Sequence, residues 1–121
     1  MPKVGRRLLI VVVIAVVGAL TAGGVVSAKT TVSLSASKSK LAFNKKTIRA
    51  KKGSVTLVMA NPSSSRHAVA VEGHGIDKDG KTVGKGKTSR VTVTLKKGTY
   101  TFYCPVDGHE AAGIKGKLIV S

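Results

Sequence analysis

After its first 28 residues the chain is a series of short runs in which apolar and polar side chains alternate, broken by Gly, Lys-Gly and Asn-Pro. Strand side chains point alternately to opposite faces, so a period of two predicts half-buried strands. Such runs occupy residues 31–35, 54–60, 67–71, 89–95, 99–103 and 116–120. Shorter ones, residues 41–43 and 47–50, lie on either side of Asn44. Lys51-Lys52-Gly53 and Lys96-Lys97-Gly98 read as turns, and Asn61-Pro62-Ser63-Ser64-Ser65 as a loop. Residues 73–86 hold five glycines and predict a long irregular connection. No long amphipathic helix and no internal repeat is visible. Seven or eight short strands at this spacing predict an all-β, Greek-key β-sandwich.

The first 28 residues follow another rule. Lys3, Arg6 and Arg7 precede a run from Leu8 to Leu20 that has no charge, and Val26-Ser27-Ala28 ends it with short side chains. A basic start, an apolar stretch and a small-residue exit predict a secretory signal peptide. An uncleaved membrane anchor is the alternative, because residues 8–28 are free of charge and about long enough to span a bilayer. Either leaves the basic end inside and the rest of the chain extracytoplasmic: secreted, periplasmic or on the cell surface. The expected division is residues 1–28 as signal or anchor, 29–40 as linker and first strand, and 41–121 as the folded domain.

The 93 residues from 29 to 121 suffice for one small core. Small exported domains often lean on disulfides, but Cys104 is the only cysteine. An unpaired thiol in an oxidising compartment is buried and inert, joined to another chain, or bound to a metal. Without Lys3, Arg6 and Arg7, the chain has 18 cations against five carboxylates, about +13. That charge suits acidic proteins or an anionic membrane or cell-wall surface. Nucleic acid is a poor partner, since Phe43, Tyr100, Phe102 and Tyr103 are the only aromatics and no basic run interleaves with them. The chain is expected to be a monomer.

Three side chains carry candidate metal chemistry. His67 stands where the serine-rich loop meets a strand, Cys104 ends the run Thr-Tyr-Thr-Phe-Tyr, and His109 follows the turn Pro105-Val106-Asp107-Gly108. In a sandwich the strand end and the loop can meet at one pole. One thiolate and two imidazoles make a trigonal set suited to a blue-copper electron-transfer site. Thiolate stabilises Cu(I), imidazole serves both oxidation states, and a rigid β frame limits movement as the electron arrives.

The run from Gly98 through Cys104-Pro105-Val106-Asp107-Gly108-His109 to Gly113-Ile114-Lys115-Gly116 and Val120 resembles the copper-binding end of the cupredoxins, the plastocyanin and azurin class. Asn61-Pro62-Ser63 leading to His67 resembles that family's upstream ligand loop, and the likeness covers about residues 41–120. It implies a Greek-key sandwich, one type 1 copper, single-electron transfer between protein partners and no enzymatic activity. It also implies that His67, Cys104 and His109 are the equatorial ligands, with His109 as the partly exposed electron port. Two positions depart from the pattern. Ile114 stands where the family usually has a weak axial Met, and Ala68 where many relatives have Asn. The first change implies a three-coordinate, high-potential site, with the Arg66 carbonyl as a weak axial contact. Together they keep two alternatives open: a copper-delivery protein with little redox traffic, and a degenerate, metal-free binding sandwich.

Other candidates carry less. His74, in the Gly-rich stretch, is expected as an exposed loop residue, and Met59 as core. Residues 63–65 beside His67 lack an orienting acid and a nucleophile elbow, so no catalytic triad is expected.

Overall fold

A computed structural model describes residues 28–121 of the protein. The expected signal or anchor therefore lies, apart from Ala28, outside the described residues. Eight strands follow: β1 Ala28–Ser35, β2 Thr47–Ala50, β3 Gly53–Asn61, β4 Ala70–Gly73, β5 Ile76–Asp79, β6 Lys87–Leu95, β7 Gly98–Tyr103 and β8 Lys115–Val120. They form a three-stranded sheet in the order β1-β3-β6 and a five-stranded sheet in the order β2-β8-β7-β4-β5. This is the all-β sandwich that the alternation predicts.

The alternation also fills the core. On β3, Val55, Leu57 and Met59 point inward with Asn61, while on β6 Ser89, Val91, Val93 and Leu95 do the same. Tyr100 and Phe102 of β7 and Leu118 and Val120 of β8 face them from the other sheet. Phe102 packs on Phe43 with ring centroids 5.6 Å apart. Gly116 is required here, because a Cβ at that position would collide with the Phe102 ring and the Lys46 carbonyl. Met59 is fully buried, as expected of a core residue.

Residues 29–40, expected as linker and first strand, do hold that strand, and two other expectations are corrected. β1 pairs with β3 in parallel along all eight residues, and Ala36 bridges to Phe43, so this segment is part of the sandwich. Its serines and lysines lie on the outer side while Leu34 and Ala36 are buried, which gives a polar composition to a structured strand. Residues 41–43 contribute only that bridge instead of a strand. The Gly-rich stretch contains β5, which forms a hairpin with β4. Its sequence Ile-Asp-Lys-Asp has no inward alternation because it is an edge strand with three exposed residues.

His74 and Gly75 form the two-residue turn of that hairpin, with φ of 51° and 81°. Positive φ at both central positions matches the strand twist of a tight hairpin. His74 is exposed, as expected, but not idle: its ring lies 4.8 Å from that of Tyr100, and Nε2 is 3.2 Å from the Thr99 carbonyl.

Candidate metal centre

The site lies at the end of the sandwich where β3 and β7 finish. Beyond β3 the chain loops through residues 62–66 and reaches His67, which pairs with Val83 through two backbone hydrogen bonds: His67 N–H to Val83 at 3.1 Å and the reverse at 2.8 Å. Ser89 braces the same region from β6. Its hydroxyl donates to the Lys81 carbonyl at 2.6 Å and accepts the Val69 N–H at 3.3 Å. His67 is thus held by two elements distant in sequence and is 1% exposed.

Cys104 follows β7 directly and is fully buried and free of any disulfide. Its N–H donates to the Ile114 carbonyl at 3.0 Å, and the Ile114 N–H donates to the His109 carbonyl at 3.0 Å. Ile114, also fully buried, therefore clasps the strand end to the turn that carries His109. Gly108 (φ 79°) and Gly113 (φ 109°) let that turn fold back on itself at each end. His109 is half-buried.

These placements bring the three predicted side chains together. His67 Nδ1 lies 3.7 Å from Cys104 Sγ and His109 Nδ1 3.5 Å from it, and the two imidazole centroids are 5.0 Å apart. One ligand atom from each residue lies within 4.8 Å of the others. A first-row metal with N and S bonds of about 2.0–2.3 Å sets S···N separations of about 3.5–3.8 Å at near-trigonal angles. The cluster fits a single small metal ion without rearrangement. Burial holds the His67 imidazole below its ordinary range, and His109 pushes it the same way. This favours the neutral imidazole that a metal needs.

The pole contains groups that sequence reasoning did not single out. Asn61, 1% exposed, donates through Nδ2 to the carbonyls of Ser65 (2.8 Å) and Val83 (2.9 Å). Its Oδ1 accepts the N–H and the hydroxyl of Ser63, each at 3.0 Å. With Ala68 after His67, Asn61 is the polar side chain that ties the ligand loops. The Asn-Pro pair signalled a loop, but not that the Asn is buried in it. On the other flank the Tyr103 hydroxyl donates to Asp77 Oδ1 at 2.5 Å. Burial first, then this bond, pushes that hydroxyl well above the usual tyrosine range. Glu72 is pushed up to about 7, chiefly by sharing a hydrogen bond with the Glu110 carboxyl.

An all-β sandwich with one buried cysteine sulfur between two imidazoles defines a mononuclear copper protein of the cupredoxin type. The sequence profile described as copper binding proteins, plastocyanin/azurin family, matches residues 30–121. The chain belongs to that family, and His67, Cys104 and His109 are positioned as its single copper site. Among solved structures, auracyanin B matches with a TM-score of 0.69 and 22% identity over 81% of this chain and 92% of its own. Reduced auracyanin from the photosynthetic bacterium Roseiflexus castenholzii matches at 0.68 and 22%, over 79% and 99%. Auracyanin A, a "blue" copper protein from Chloroflexus aurantiacus, matches at 0.65 and 21%, over 75% and 98%. At these identities the likeness is one of fold. No curated protein sequence matches the chain.

Proposed function

We propose that the protein carries single electrons outside the cytoplasm through one type 1 copper, which His67 Nδ1, Cys104 Sγ and His109 Nδ1 would hold. The observation that carries this reading is the convergence of the two Nδ1 atoms on the buried Sγ. When bound, copper supplies a one-electron couple at a potential set by this donor set. The chain's part is to hold the donors still. The Val83 bridge fixes His67 and the Ile114 clasp fixes Cys104 to His109, so the same geometry serves both oxidation states. His109, the less buried imidazole, is the port for the electron.

The fully buried Ile114 side chain offers no donor atom, so any further weak donor would have to be a backbone carbonyl, with that of Arg66, next to His67, as the candidate. A single metal held by two imidazoles and one cysteine sulfur lacks a second centre, which argues for a carrier over an enzyme. The basic-apolar-small pattern over residues 1–28 supports the extracytoplasmic location.

Visible absorption and EPR spectra of the copper-loaded protein test the reading, followed by redox cycles in the presence of a chelator. An intense thiolate-to-Cu(II) band that survives cycling is expected. A band lost to the chelator would make the protein a copper-delivery module, and no copper binding at all would make it a metal-free binding sandwich.

A further inference from the structure

The chain has only five carboxylates, and all of them gather on one flank of the copper pole. Asp79, Asp107 and Glu110 line one groove with Tyr103 and Cys104. Asp77 holds the Tyr103 hydroxyl, and Glu72 lies near Glu110, with Lys115 as a cation among them. The other flank is different. Residues 37–41 and 63–65 enclose a groove that reaches His67, and no carboxylate lines it. Its cations are Lys38 and Lys40, with Arg66 following on the same loop. Leu41, 43% exposed, also lines it and is the exposed large hydrophobic side chain of the described residues.

We propose that this groove on the His67 side of the pole is the docking surface for an acidic surface of the partner that exchanges electrons with the site. The inference rests on the carrier function proposed above and deepens it. An acidic partner centred on the Tyr103–Glu110 flank would bring like charges face to face, which costs both affinity and encounter rate. On the lysine groove it meets opposite charge, serine hydroxyls that pair with carboxylates, and one apolar contact at Leu41. Small apolar centres ringed by polar groups are the usual anatomy of a protein-protein contact. A partner seated there lies against His67, whose ring centroid is 5.0 Å from that of His109. The carboxylates then act as a repulsive element that excludes the wrong orientation. Because the division lies within one pole, the arrangement predicts more than net charge does: it predicts which side of the pole is covered.

Two measurements test this on the protein as isolated, with an acidic c-type cytochrome as the probe. The first maps amide chemical shifts of the Cu(I)-loaded protein as the cytochrome is added, beside inorganic phosphate at the same ionic strength. Shifts clustered at residues 37–41 and 63–66 with the cytochrome, and not with phosphate, are expected. Shifts centred on residues 72–79, or scattered over the surface, overturn the proposal, whereas shifts at His109 beside those of the groove fit its role as the port. Equal shifts with phosphate would make the groove a small-anion site, and concentration-dependent shifts without a probe would make it a contact between copies. The second compares electron-transfer rates at low salt. Lys38→Glu/Lys40→Glu is expected to slow the reaction at least about tenfold, and Lys51→Glu/Lys96→Glu, with the same charge change at the opposite end, less than about twofold. Equal slowing would mean that net charge alone steers. The visible band of each variant reports separately on the copper site. A wild type without that band would sink the carrier reading, while the shift map still reads the groove.

Discussion

Asn61 and His67 share one acceptor: the Val83 carbonyl receives the Asn61 Nδ2 at 2.9 Å and the His67 backbone N–H at 3.1 Å. A residue at the end of β3 thus fixes a ligand six positions later through a third segment of chain. Asn61→Ala would leave the buried Ser63 N–H and the more exposed Ser65 carbonyl without this partner. Losing buried partners of this kind costs about 1–3 kcal/mol. Denaturant unfolding should show that loss, and the copper-loaded variant should show broader EPR lines than wild type. Unchanged stability and unchanged lines would mean that the Val83 bridge holds His67 unaided.

Cys104→Ser replaces the thiolate and should abolish the visible band while leaving the sandwich folded by circular dichroism. His74→Ala removes the only other histidine and should leave the band unchanged, because His74 lies in the β4–β5 turn against Tyr100. A Cys104→Ser protein that stays intensely coloured refutes the ligand assignment.

Ile114→Met puts a thioether where the chain has a hydrocarbon. A thioether donates electron density and favours Cu(II) over Cu(I), so the potential should fall in a redox titration under matched conditions. The swap nearly conserves volume at a fully buried position and should cost less than about 1.5 kcal/mol. Wild type itself should have a high potential for its class, since a dry apolar wall disfavours the more highly charged oxidised metal. An unchanged or higher potential in the variant would mean that the side chain at 114 does not face the metal.

Glu72 has its folded pKa raised to about 7 because its carboxyl shares a hydrogen bond with that of Glu110, followed by burial and nearby negative charge. A raised acid pKa means that the folded state binds more protons than the unfolded one between about pH 4.5 and 7. This contribution to stability is full below that window and is lost as pH rises through it. Glu72→Gln keeps a hydrogen-bonding amide but cannot ionise, so it should raise metal-free stability at pH 8 relative to wild type and change it little at pH 4.5. An equal effect at both pH values would exclude the carboxyl pair as its source.

The sequence by itself determined the fold class and the donor set. Strict alternation in β3, β6 and β7 is a local property that survives any packing, because a strand with one wet face needs it. Cys104 and His109 are five residues apart, so their meeting needs only a turn; His67 was legible from its place between loop and strand. What the tertiary structure decided lies where local pattern carries no signal. β1 is half polar because only one of its faces is buried, and β5 is charged because it is an edge. Asn61 is identical in sequence whether wet or buried, and only the return of Val83 to His67 makes it the tie of the ligand loops. The gathering of five carboxylates onto one flank is decided the same way: Glu72, Asp77, Asp79, Asp107 and Glu110 come from a hairpin and a distant turn, and strand pairing of β4 with β7 alone makes them neighbours.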